Sequence, residues 1–387
     1  MKLTSQKHLF DIPEDVSYLN IAALSPSFKA IEEAGIRSVM QKNRPYLTKV
    51  SDFFDPVKEL RELCAQLIDV DDPDRIATIP SVSYGLANVA NNITLKNCDE
   101  IILVDEQFPS NYYIWKKLVD SAGAKLKIVK PTQNSVEIGK NWNQSILNAI
   151  NKNTAVVAMG QVHWSNGTLF DLEAIRSKTK ENNSLLIIDG SQSIGAYPFS
   201  VNEIQPDALV CAGYKWLFGP YGGAFAYYGP YFDNGIPIEE SWINRKNSEN
   251  FAGLTEYQAE YKPLANRYSA GQSGSFIYVQ MRIAGIKQVL KWQPERIQEF
   301  CRELTQEPVQ QLKALGCAIE DDSSRSHHMF GVGLPDSIDV QKLRDRFAEE
   351  KIFVSFRGSY MRLSCHLFST PKDFERLIEC LKSILES

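Results

Sequence analysis

The sequence predicts an α/β fold in which a large domain on a mostly parallel sheet is followed by a smaller α+β domain. Short β-rich runs alternate with longer amphipathic stretches, the pattern of βαβ units. Several of those runs are apolar throughout, as strands covered on both faces are. From about Gly316 the alternation gives way to a mixed series ending in a helix.

Taken in order, strands are expected at Arg75 to Ile79, Glu100 to Val104, Lys125 to Val129, Thr154 to Met159, Leu185 to Asp189 and Ala208 to Ala212. Gly223 to Tyr228 adds a seventh, expected at an edge. Helical periodicity fits Pro56 to Ile68, Tyr84 to Asn92, Asn111 to Ala122, Leu172 to Lys180, Met281 to Leu290 and Pro294 to Leu315. The C-terminal series reads CAIE, HHMFGVGL, a helix from Val340 to Glu350, IFVSF, MRLSC and a helix from Lys372 to Leu385. Between the two series, Asn234 to Ser275 is rich in Glu, Asn, Tyr and Gly with weak periodicity. It suits irregular loops over an active-site mouth or a subunit contact.

Composition removes several classes of function. At 387 residues, 43 % hydrophobic and 23 % charged, the chain is an ordinary foldable polypeptide. Its net charge of −5 and dispersed basic residues give no nucleic-acid footprint. No run approaches the ~18 apolar residues of a membrane span, so the expected address is the cytoplasm. Seven separated cysteines with no CxxC disfavour a disulfide framework or zinc site, and five histidines lack HxxxH spacing, so no metal is expected. Difficult chemistry here points to an organic cofactor.

Ligands of an open parallel sheet bind beyond the carboxyl ends of its strands. The run LLIID ends in Asp189, followed by Gly-Ser-Gln-Ser. The run ALVCA leads into Gly213-Tyr214-Lys215-Trp216 and Phe218-Gly219-Pro220. An acid and a lysine so placed suit pyridoxal 5′-phosphate (PLP): the carboxylate keeps the pyridine nitrogen protonated and the amine makes a Schiff base. An isolated lysine is usually only exposed, but Trp216 and the Gly-Pro turn argue otherwise here. Ser81, Val82 and Ser83 open a helix after a strand, an anion cup for the phosphate, although a serine there often serves only as a cap.

The segments VHWSNGTLFDL, LLIIDGSQSIGAYPF and DALVCAGYKWLFGPYGGAFAYYG resemble the class V aminotransferase family of fold type I PLP enzymes, over most of the chain. That family holds cysteine desulfurases, kynureninases, an isopenicillin epimerase and transaminases. The resemblance implies that Asp189 binds the pyridine nitrogen, that Gln192 and Asn166 lie near the ring hydroxyl, and that Lys215 carries the cofactor. It places Tyr214 and Ser83 at the phosphate and Phe108 on the ring face, and sends Gln272 and Ser273 across a homodimer to the partner's phosphate. Arg362, in Tyr360-Met-Arg-Leu-Ser, would fork onto the carboxylate of a small amino-acid substrate. Phe108, Tyr214 and Trp242 lean toward kynureninase-like relatives. Desulfurases carry a cysteine on the loop before that arginine. Here the loop reads Gly358-Ser-Tyr-Met, and Cys365 follows the arginine on a strand.

The expected organisation is an N-terminal arm, 1–20, on the small domain, a large PLP-binding domain, 21–275, and a small domain, 276–387. Transamination, lyase chemistry and epimerisation all remain open, as do kynureninase-like hydrolysis and desulfurase-like C–S cleavage. Two other classes compete. A Rossmann oxidoreductase lacks its GxGxxG fingerprint, and a non-catalytic binding protein would have little reason to keep Asp189, Gln192, Lys215 and Arg362 together.

Overall fold

The computed structural model describes residues 2–131 and 138–386. After a two-residue strand, β1 (Ser17–Tyr18), come helices α1 (Lys29–Lys42) and α2 (Asp55–Leu67). An alternating series follows: β2 (Ile76–Ile79), α3 (Val82–Asn91), β3 (Glu100–Val104), α4 (Ser110–Ala122), β4 (Lys125–Val129), α5 (Ile138–Ala149), β5 (Thr154–Gly160), α6 (Leu172–Glu181) and β6 (Leu185–Asp189). It closes with the short α7 (Val201–Ile204), β7 (Ala208–Ala212) and β8 (Ala224–Tyr228). These strands form one seven-stranded sheet in the order β2-β8-β7-β6-β5-β3-β4. Only β8 runs against its neighbours, pairing antiparallel with both β2 and β7. The chain is therefore α/β with a mostly parallel sheet, as its alternation predicts.

The apolar runs sort by alternate residues onto two cores. In β6, Leu186 and Ile188 pack into the layer that holds α2, α6 and the C-terminal elements. Ile187 packs into the layer with α3 and α4 on the opposite face. Both layers remove such side chains from water, each worth about 1.5–3 kcal/mol, and a strand that serves both cannot alternate polar with apolar. Strand β8 is fully buried for the same reason. The edge expected for it is corrected: it lies between β2 and β7, and β2 takes the edge. That edge is itself covered, since the Thr78 N–H donates to Ser269 Oγ at 3.1 Å and the Ala270 N–H to the Thr78 carbonyl at 3.0 Å.

Helices α8 (Phe276–Trp292) and α9 (Pro294–Ala314) lead to the C-terminal part, where β9 (Met329–Gly333), α10 (Val340–Glu349), β10 (Ile352–Phe353), β11 (Ser355–Arg357), β12 (Tyr360–Ser364) and α11 (Pro371–Leu385) follow. Strands β11, β12 and β9 form an antiparallel sheet, and β1 pairs parallel with β10. In the CAIE run, Ala318 makes a single bridge to Gly333. Sequence periodicity also passed over α1 and α5.

Candidate active site

Strands β2, β5, β6 and β7 release the chain toward one cavity. Its wall includes Ser81, Val82 and Ser83 at the start of α3, Phe108 before α4, Asp189 and Gln192 after β6, and Tyr214 and Lys215 after β7. A parallel sheet dictates this meeting: all four strands point the same way, so the loops at their carboxyl ends share one rim.

Lys215 is the ionisable amine of the cavity and is only 7 % exposed. Its Nζ lies 5.6 Å from the Phe108 ring centroid and 5.7 Å from that of Tyr214. Burial lowers the amine from its ordinary range to about 8; Asp189 opposes that shift, and Arg362 adds to it. At neutral pH a usable fraction is thus the uncharged nucleophile. Burial conversely raises Asp189, against the hydrogen bonding of Ser191 and the charge of Lys215. One carboxylate oxygen of Asp189 accepts the Ser191 N–H at 3.0 Å.

The anion cup expected from the sequence falls at the start of α3, on the cavity wall. Ser81 is its N-cap, with Oγ accepting the Tyr84 N–H at 3.2 Å. The other first-turn N–H groups have no acceptor within the helix, and the positive end of the helix dipole meets the cavity there. Capping and anion binding use different N–H groups, so both roles are compatible. The Tyr214 ring centroid lies 4.6 Å from that of Tyr221, tilted by 52°, and Tyr221 also lines the cavity.

Other expected residues sit elsewhere in the chain. Asn166 does not line the cavity: its Oδ1 accepts the Thr168 N–H at 3.1 Å and lies 2.9 Å from His163 Nδ1. Its neighbour His163 is the residue at the cavity wall, buried, with Nε2 3.1 Å from the Asp105 carbonyl and burial lowering it to about 4. The histidine is visible in the run VHWSNGT, but its spacing from the other histidines signals only the absence of a metal motif. Arg362 lies behind the cavity, 2 % exposed, with one guanidinium nitrogen donating to the Trp164 carbonyl at 2.7 Å and its Nε without a partner. Burial, then Arg357, lowers it to about 9. Trp242 lines a separate groove with Arg245 and Tyr257, and Ser273 lines another beside Phe53. Gln272 adopts a left-handed backbone, φ 59°, outside the cavity wall. Among the described residues, none from 234 to 275 lines the cavity, so the mouth-covering reading of that segment is not met within one chain.

The cysteines are free, and all but Cys98 are buried. Cys365 directs its Sγ at the His327 carbonyl, 3.8 Å away, a core thiol outside the cavity wall.

The donor set fits PLP. A carboxylate, an amine, an aromatic face and a helix N-terminus line one cavity, and a buried guanidinium with an unspent N–H stands behind it. A seven-stranded, mostly parallel sheet with this set at its carboxyl ends defines a fold type I PLP enzyme. A model of the family "Aminotransferase class-V" matches residues 21–369, and the chain belongs to that family. Family membership makes PLP its cofactor, as the sequence predicts. The chain is 22 % identical to the uncharacterized aminotransferase YcbU of Bacillus subtilis over 359 residues, 92 % of each chain. It superposes on a cysteine desulfurase of Thermococcus onnurineus with a TM-score of 0.84 at 17 % identity, covering 99 % of both chains. A C-DES variant with glycine covalently linked to its PLP cofactor gives 0.87 at 16 % identity, covering 98 % of this chain and 100 % of that one.

Proposed function

We propose that this chain is a PLP-dependent enzyme of aminotransferase or lyase type that removes a proton from Cα of a small amino acid, with Lys215 as the residue that carries the cofactor. One observation supports this above the others: Asp189, Lys215 and the N-terminus of α3 line one cavity. Bound there, PLP supplies an electron sink for the charge left at Cα when the proton departs.

The chain's own residues would divide the work. Lys215, whose charge burial disfavours, would hold the cofactor through its amine and move the Cα proton. Asp189 holds a proton on the ring nitrogen. Phe108 covers a ring face, while Ser81, Val82, Ser83 and Tyr214 receive the phosphate. Gln192 meets the ring hydroxyl. Arg362 lies within electrostatic reach of Lys215 and carries an unspent N–H for the substrate carboxylate. The Asn166 role passes in this reading to the His163–Asn166 pair, of which the histidine reaches the wall.

Desulfurase-type cleavage is the weaker alternative. The Gly358–Met361 loop has no thiol, and Cys365 is buried and engaged with a backbone carbonyl. Kynureninase-like hydrolysis stands on the aromatic residues alone. Trp242, Gln272 and Ser273 serve this reading only across a homodimer in which each subunit completes the other's site. The proposed organisation keeps an arm, 1–20, a large domain, 21–275, and a small domain, 276–387; the β1–β10 pairing supports the arm. The proposed location is the cytoplasm. Among the described residues, no helix is long and apolar enough to cross a membrane.

The test is a panel of amino acids added to the PLP-loaded protein, scored for a change in the visible band and for release of keto acid, sulfide, alanine or anthranilate. A spectral change with at least one small amino acid, and keto acid or a lyase product, is expected. A protein that takes up no PLP would refute the proposal, and rapid sulfide release from cysteine would move the reaction to the desulfurase class.

A further inference from the structure

Gln192 is held from three sides. Its Nε2 donates to the Ala22 carbonyl at 3.1 Å, its Oε1 accepts the Trp216 indole N–H at 3.0 Å, and its backbone carbonyl lies 2.7 Å from His328 Nε2. Nε2 keeps one amide hydrogen unspent, the one group through which the side chain can meet an ionised ligand oxygen, which accepts but does not donate. Gln192 therefore meets a ligand oxygen as a donor.

The third support comes from far along the chain. His328 immediately precedes β9, is wholly buried, and sets its ring edge-on to Trp216 at 4.5 Å and 87°. Its tautomer follows from Gln298 on α9. The Gln298 Nε2 donates to the Ala196 carbonyl at 2.6 Å and lies 2.7 Å from His328 Nδ1, while its Oε1 accepts the His327 N–H at 3.1 Å. With Oε1 already accepting, Nε2 must face His328 as a donor, so Nδ1 is an acceptor. The ring proton then sits on Nε2 and donates to Gln192. Burial holds the imidazole at about 3, helped by the charge of His327, so it stays neutral at working pH. The titratable groups packed near it are His327, Tyr197, whose ring centroid lies 6.5 Å away, and, beyond the Trp216 ring, His366.

From this geometry we infer that His328, fixed by Gln298, is a positioning residue that aims the free amide N–H of Gln192 at the cofactor's ring oxygen. It does so by two contacts on one unit: the hydrogen bond to the Gln192 backbone, and the edge of the ring on Trp216, whose indole grips the Gln192 side chain. The C-terminal elements thereby set the ionisation of a group bound at the sheet, without touching it. The inference rests on the proposed role of Gln192 at the ring oxygen.

The test reads the pH midpoint of the visible band of the full-length, PLP-loaded protein. A fixed donor favours the ionised ring oxygen, so His328→Leu is expected to raise the midpoint by about 0.5–1 unit. His328→Gln, whose amide replaces the Nε2–H donor, is expected to restore most of the shift. His366→Leu alters the same Trp216 neighbourhood, but the His366 ring nitrogens have no hydrogen-bond partner among the described residues; it is expected to leave the midpoint in place. A wild-type midpoint in His328→Leu, or an equal shift in His366→Leu, would overturn the inference. Should His328→Leu not fold, Gln298→Leu releases Nδ1 and is expected to raise the midpoint likewise, and an unmoved midpoint there would also overturn it. Wild-type protein without a visible band would instead remove the proposed function and this inference with it.

Discussion

Two residues at strand ends carry the proposed chemistry, and their environments push them in opposite directions. Lys215 is lowered to about 8 because burial disfavours its charge, while burial raises Asp189. For the free amine the sign is simple: protonated below about pH 8, nucleophilic above it. Capture of PLP by apoprotein is therefore expected to quicken about tenfold per pH unit up to roughly 8 and then level off. Stopped-flow growth of the visible band measures this, and a rate that keeps climbing toward pH 10 would indicate an ordinary exposed lysine. Asp189→Asn keeps the shape and removes the charge. Turnover is expected to fall at least about 100-fold with PLP still bound, whereas unchanged turnover would take the ring nitrogen away from this residue. Lys215 and Asp189 were legible because each interrupts an apolar run where a strand stops. Asn166 and Arg362 were less so. Which of His163 and Asn166 reaches the cavity, and whether Arg362 faces it or stands behind Trp164, depends on loops packed from distant parts of the chain.

Elements were legible wherever burial and hydrophobicity agree. The five residues of β6 were found in full because alternate side chains serve two cores and all are apolar but the last. Helix α1 breaks that agreement. Its buried positions include Ala34, Gly35 and Ser38, while Ile36, Val39 and Met40 are 53 %, 49 % and 62 % exposed. A periodicity search follows the wrong face of such a helix. Helix α5 does carry a helical signal, with Gly139, Trp142, Ile146 and Ala149 buried at helical spacing. Helix α8 shows how an element reaches the site. A Cβ on Gly285 would stand 2.3 Å from the Leu217 carbonyl, just past the turn that carries Lys215. Gly285→Ala is expected to cost about 1–3 kcal/mol and to weaken PLP binding by displacing that turn. Urea unfolding and PLP titration check both, and a variant with wild-type values in each would mean that α8 does not set the turn.

At the scale of the whole molecule, the exposed apolar face of α1 joins Tyr46 at 80 % and Leu47 at 59 % exposure on the following turn. Further along, Tyr257 is 96 % exposed near Trp242. So much uncovered apolar surface is the mark of an interface, and a homodimer would account for it and for residues 234 to 275 together. Light scattering is expected to give twice the 43.7 kDa chain mass; a monomer at working concentration would contradict the shared-site reading of Gln272 and Ser273. That contribution could not be read from sequence or from one chain, because a shared site is a property of two. The proposed chemistry turns on one bond to one amine. Borohydride reduction of the PLP-loaded protein, followed by peptide mass mapping, tests it most directly. The pyridoxyl group is predicted on Lys215 alone, and its appearance on another lysine, or on none, would contradict the account.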